Sequence, residues 1–209
     1  MAVASSTTEA RVVLSGITWS TYEAILADMD NRPIHLTYDR GALEIMSPSE
    51  EHERVKKLIG RMIEAMTEEL NIPIRSAGST TFRREAKQRG LEPDECYYVA
   101  SEPRLRGRED LDVKVEPPPD LAVEVEISRS ALDRMGIYAA LGVPEVWRYD
   151  GAVLRVETLQ PDGKYVRQPQ SPCFPFLPLE QFQGFLDRRN ETDETSWVRS
   201  FRSWVRGIA

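Results

Sequence analysis

Cysteine and histidine are scarce in this chain, with two of each among 209 residues. Cys96 and Cys173 cannot build a disulfide framework and do not have the spacing of a metal-ligand pair, which points to a reduced, cytoplasmic protein. His35 and His52 form no HxH or HExxH pattern, so the common zinc-enzyme signatures are excluded. No apolar run approaches the roughly 20 residues that cross a bilayer, and the opening MAVASSTTEA lacks a signal-peptide apolar region. Glycine-rich phosphate loops, solenoid repeats and low-complexity tracts are absent as well. Basic residues are also in short supply: 27 Lys and Arg against 34 Asp and Glu leave a net charge of −7. A pervasively basic nucleic-acid coat is excluded, although a local basic groove is not.

What is present suffices for a packed domain. Hydrophobic residues make up 41% and charged residues 29%, which rules out wholesale disorder. The first ten residues read as a loose tail. Ser20 and Glu23 fit a capping box ahead of a short amphipathic helix. Ile34–Tyr38 and Ala42–Met46 read as a hairpin joined by the three-residue loop Asp39-Arg40-Gly41. Ser47 can then cap a long helix, with Pro48 at its first position and Glu50 as the reciprocal residue. Val55, Leu58, Ile59, Met62, Ile63, Met66 and Leu70 recur at three- and four-residue steps, the stripe of a core-facing helix. Short strands are expected near residues 72–76, 79–83 and 96–100, and a clear one over Asp120–Ser128. A helix marked by Leu132, Met135, Tyr138 and Leu141 ends at Gly142. Val143–Tyr149 and Ala152–Leu159 form a second hairpin around Asp150-Gly151, and two helices follow near Leu179–Arg188 and Thr195–Val205. This order predicts an α/β fold bordering on α+β, a mixed central sheet flanked by helices.

The candidate chemistry lies in PDLAVEVEIS. Leu121, Val123, Val125 and Ile127 share one strand face, which must be core, while Asp120, Ala122, Glu124 and Glu126 share the other. Carboxylates so close repel one another unless they are well solvated or a cation is bound. The bland alternative is a polar face on a half-exposed strand. A second acid, Asp94 of Glu92-Pro93-Asp94-Glu95, opens another short strand and can converge with this pair on one Mg²⁺.

These stretches carry a resemblance. A Pro-Asp followed by an acidic strand is the signature of the PD-(D/E)XK superfamily, the restriction-endonuclease-like fold. More closely, GALEIMSPSEEHERVKKLIGRMIE, EPDECYY and PPPDLAVEVEISRSALDRMGIYAALGVPEVWRYDG resemble the Uma-type endonuclease family, over about residues 17–186. The resemblance implies a tail over residues 1–16, a nuclease-like domain over 17–189, and a helical extension over 190–209 packed on the same domain. It also implies a Mg²⁺- or Mn²⁺-dependent endonuclease hydrolysing DNA. Asp94 and Glu124 would be primary metal ligands. Glu126 stands where the superfamily has its lysine and would be a secondary ligand. Arg134, on the following helix, would be the migrated cation, an electrophilic helper rather than a base. The first-helix acid would fall among Glu51, His52 and Glu53. His52 reads first as a solvated helix-start residue, with contact to phosphate as its alternative. Arg83, Arg84, Lys87 and Arg89 flank the site, either touching phosphates or forming a solvated loop. Trp147 and Tyr149 read as core rather than as base-stacking platforms. A homodimer is expected because duplex DNA has two strands, and no membrane partner is. Two other readings remain: a non-catalytic interaction module on a degenerate nuclease fold, and hydrolysis of another phosphate ester.

Overall fold

A computed structural model describes residues 9–29, 32–109, 111–112 and 116–208. Residues 1–8 of the expected tail, and Ala209 of the expected extension, lie outside them.

The first departure from the sequence reading comes at once. Ala10–Ser15, expected in the tail, form a strand, β1. The helix α1 (Trp19–Asp28) is capped by Thr18, whose hydroxyl accepts the Thr21 N–H, and not by Ser20. The earlier start brings Trp19 and Tyr22 into a small core with Leu36, Tyr38 and Leu43. Strands β2 (His35–Asp39) and β3 (Ala42–Ser47) are joined by two residues rather than three. Arg40 and Gly41 have φ of 47° and 95°, the doubly positive φ of the turn type that matches strand twist. β1 adds to the outer edge of β3, pairing Ala10 with Ser47, so the strand runs through Ser47. The cap of α2 (Glu50–Glu69) therefore passes to Ser49, which accepts the His52 N–H.

The remaining elements are β4 (Arg75–Ser76), β5 (Phe82–Arg84), β6 (Arg89–Leu91), β7 (Glu95–Tyr98) and the short α3 (Glu102–Leu105), then β8 (Leu121–Val125) and α4 (Arg134–Leu141). After them come β9 (Glu145–Tyr149), β10 (Leu154–Leu159), β11 (Tyr165–Gln168), α5 (Leu179–Asp187) and α6 (Glu194–Val205). The fold class is mixed α/β, as expected. The strands of the described residues nevertheless divide into two sheets instead of one. One runs β1-β3-β2-β6-β5 and is antiparallel throughout, and the other runs β11-β10-β9-β8-β7-β4. In the second, β8 and β9 are parallel and α4 is their crossover, which Gly142 ends in the left-handed region at φ 84°.

The apolar stripe of α2 meets Leu121, Val123 and Val125 of β8 in the main core, with Leu70 at its margin. Trp147 and Tyr149 belong to the same core, as do Trp197, Phe201 and Val205 of α6. Burying side chains of this size contributes roughly 1.5–3 kcal/mol each. The opposite face of β8 is buried too, because α4 packs over it and brings Ile137, Tyr138 and Leu141 against Ala122. That second burial makes the acids of β8 consequential.

Candidate functional site

The three acids expected on one face of β8 go to three different places. Asp120 precedes the strand and turns to the backbone. Its carboxylate accepts the N–H groups of Val99 at 2.7 Å and Ser101 at 2.8 Å, and the Ser101 hydroxyl at 2.9 Å. Glu126 lies past the end of the strand and takes both its contacts, 3.0 and 2.8 Å, from Arg148. The expected second ligand is thus committed to a neighbour on β9. Glu124 alone joins Asp94.

Both remaining acids are buried, Asp94 at 2% exposure and Glu124 at 3%, and each carries its own cation. Arg134, from the first turn of α4, forks onto Glu124 with Nη2–Oε1 at 2.5 Å and Nε–Oε2 at 3.0 Å. Its remaining donors reach the Thr37 hydroxyl and the Glu92 carbonyl, and the Tyr138 hydroxyl also donates to Glu124. Burial pushes the Glu124 carboxyl up, and the Arg134 charge pulls it back. On the other side, Asp94 Oδ2 accepts the Val125 N–H at 2.6 Å, and its Oδ1 lies 2.9 Å from His52 Nε2. Burial would raise the Asp94 carboxyl, but the His52 hydrogen bond and charge overcome it and hold it at about 2. The converse acts on His52. Burial disfavours its charge, and hydrogen bonds to Asp94 and Glu9 raise it to about 9, so the ring is an imidazolium at neutral pH.

Of the three first-helix candidates, His52 is therefore the residue brought to the acids. It is 1% exposed, which corrects its reading as a solvated residue. The Ser49 cap turns the helix start inward and carries the ring against Asp94. Glu51 is exposed, 3.8 Å from Arg189. Glu53 lies between Lys56, at 3.4 Å, and His35, at 3.9 Å.

A polar cleft of about 750 Å³ lies beyond these pairs, lined by none of the four side chains themselves but by Glu92, whose carbonyl accepts from Arg134, and by His35, the neighbour of His52. His35, Glu53, Lys56, Thr81, Arg83 and Glu92 line it. The His35 ring lies 6.2 Å from that of His52, and its buried Nδ1 has no hydrogen-bond partner among the described residues, with Glu92 Oε2 3.8 Å away. Burial pushes the Glu92 carboxyl up, against a hydrogen bond from Thr81. Of the expected flanking cations only Arg83 lines this cleft. Arg84 reaches the Glu116 carbonyl, Arg89 pairs with Asp39, and Lys87 is exposed.

The sequence reading missed Glu9, Arg11, Thr37, Glu44, Ser128 and Tyr138. Glu44 had a signal, a lone acid inside the apolar run ALEIM. Glu9 had none, because its partners lie 43 and 119 residues away.

A family described as Uma2, putative restriction endonuclease, matches residues 19–186. The chain belongs to the Uma2 family. That bears out the resemblance carried by the Pro-Asp and the acidic strand. A solved structure described as a putative nuclease belonging to DUF820, from Anabaena variabilis, is 15% identical, with a TM-score of 0.47. The likeness covers 81% of this Uma2 chain and 90% of that one. No curated protein matches. Restriction-endonuclease-like families use divalent ions in general, but the side chains here do not fit one as they stand. All four oxygens of Asp94 and Glu124 already accept hydrogen bonds, and protein cations balance both charges. Among the described residues no group of three or more His, Cys, Asp or Glu could hold a metal ion. A Mg²⁺ or Mn²⁺ ion would have to compete with Arg134 for Glu124 and with His52 for Asp94. Among the same residues no helix is long and apolar enough to cross a membrane.

Proposed function

We propose that the protein is an endonuclease that hydrolyses DNA phosphodiester bonds beside the His52–Asp94 and Arg134–Glu124 pairs. The observation that carries this reading is that two buried acids, Glu124 on β8 and Asp94 just before β7, each meet a buried cation, next to the cleft residues Glu92 and His35. DNA is the substrate that nuclease families imply in general. The cleft would admit a strand. Arg134 would stabilise charge on phosphate, and the His52 imidazolium, whose two N–H groups are held by Glu9 and Asp94, would add its positive charge to the site. Neither role needs a lysine at position 126. Cytoplasmic action and a homodimer, one subunit for each strand of a duplex, complete the proposal.

The saturated carboxylates favour a second reading, a nuclease fold that binds DNA without cutting it. Plasmid nicking distinguishes the two. Wild-type protein should relax supercoiled plasmid, and Glu124→Gln should not. The assay is run with Mn²⁺ and with EDTA, which also reads the metal requirement directly. Equal cutting by both proteins would refute the assignment of the site, and binding without cutting in either buffer would establish the second reading.

A further inference from the structure

The segment before β1 reaches into the site. Glu9 Oε1 lies 2.6 Å from His52 Nδ1, on the side of the ring opposite Asp94. Its other oxygen accepts the Ser128 N–H at 3.1 Å and the Ser128 hydroxyl. Two residues on, Arg11 donates to the Ser128 hydroxyl at 2.9 Å and to its carbonyl at 3.1 Å. Arg11 also holds Glu44 at 2.8 Å, and Glu44 accepts the Ser130 hydroxyl and the Ala131 N–H, each at 2.8 Å. Ser128, Ser130 and Ala131 form the loop that leads into Arg134. One short stretch of chain therefore grips both halves of the site, His52 directly and Arg134 through its loop. Glu9 and Arg11 precede the matched segment 19–186.

We propose that Glu9 is a positioning residue of the site: it fixes His52 against Asp94 and ties down the loop that delivers Arg134, so that residues outside the family's matched segment complete the centre. A carboxylate is not drawn under the surface by its own chemistry. Here the Glu9 side chain is 1% exposed, a state a buried charge reaches only when its hydrogen bonds are satisfied. The groups facing His52 are Glu9 from this segment, Asp94 from the start of β7 and His35 from β2. With carboxylates at both nitrogens, the ring is pinned in one orientation.

The catalytic part of this inference rests on the proposed DNA cleavage, and its spectroscopic part does not. In the wild type, the His52 Nδ1–H should give a low-field proton NMR signal. Glu9→Ala should abolish that signal and lower kcat for DNA at least tenfold, leaving KM within about twofold. Glu9→Gln, whose amide can still accept from His52 and donate to Ser128, should restore part of kcat. A retained low-field signal in Glu9→Ala, or wild-type kcat in that variant, would overturn the proposal. If the wild type cuts no DNA, the cleavage proposal fails, and the NMR signal still decides on Glu9. If Glu9→Ala does not fold, Ser128→Ala removes the hydroxyl that anchors both Glu9 and Arg11, leaving the backbone N–H of residue 128 in place, and should weaken the same signal, whereas an unchanged signal would count against the clamp.

Discussion

Replacing Arg134 by methionine should destabilise the protein by about 3–5 kcal/mol, the usual cost of removing one partner from a buried ion pair. The wild-type geometry sets that magnitude. The side chains of Arg134 and Glu124 are 9% and 4% exposed and bind through two parallel contacts, so water cannot take over the carboxylate once the guanidinium is gone. The Thr37 hydroxyl and the Glu92 carbonyl lose their donor as well, at roughly 1 kcal/mol each where no water replaces it. Methionine keeps much of the side-chain volume, which isolates the charge effect from a cavity. The loss should also depend on pH. Without the cation, burial and the Asp94 charge act on Glu124 against the Tyr138 hydrogen bond alone and raise its folded-state pKa above the unfolded value of about 4.3. A group raised in this way contributes its stability in full below the unfolded pKa and loses it as pH climbs through the folded one. The deficit relative to wild type should therefore be smallest near pH 4, where only the lost donors to Thr37 and Glu92 count, and widen toward neutrality. Urea denaturation across that range checks it. A deficit below about 1 kcal/mol at pH 7, the level of an exposed pair, or one that stays flat with pH, would refute the buried-pair reasoning.

Two other outcomes follow from the same geometry. His52 is held charged up to about 9 against an ordinary 6.5, so its contribution, on the order of 3 kcal/mol, is complete below about pH 6.5 and lost as pH rises through 9; wild-type stability should fall across that window and His52→Gln should flatten the fall, with equal slopes counting against the imidazolium. Glu126→Lys restores the superfamily's lysine in sequence but places it against Arg148, so it should lower stability by up to about 1 kcal/mol and leave plasmid nicking unchanged; faster nicking would show that residue 126 reaches the centre.

How much of this was legible depends on how local each signal was. The stripe of α2 was readable because a 3.6-residue period survives whatever it packs against. Asp94 and Glu124 were readable because a motif marks them. The neighbouring acids failed because strict alternation was carried past the strand's real ends. β8 stops at Val125, which pairs with Tyr149, the last residue of β9, so Asp120 and Glu126 sit where the backbone has left the pleat. The cap of α2 moved from Ser47 to Ser49 because β1 lengthened β3, and no local pattern announces an edge strand recruited from a segment that reads as a tail. His52 was misread for a related reason. A histidine in a first helical turn looks solvated until the acids that bury it are known, and those lie before β1 and at the start of β7.

The acidic surplus takes on a different meaning in the folded chain. Around the site, four carboxylates, Glu9, Glu44, Asp94 and Glu124, meet three cations, Arg11, His52 and Arg134. The cluster as a whole keeps a single negative charge, a small remainder for so many buried acids and one that the Ser128, Ser130 and Tyr138 hydroxyls help to disperse. The −7 counts His52 as neutral; with its imidazolium the chain carries −6, most of which lies outside the site and says little about what the cleft can receive. Lys56 and Arg83 line the cleft itself, while Arg134 and His52 are buried next to its Glu92 and His35, beside acids that already have partners. Net charge averages over distances far longer than the Debye length of about 8 Å, and the contacts proposed at this cleft lie well inside it.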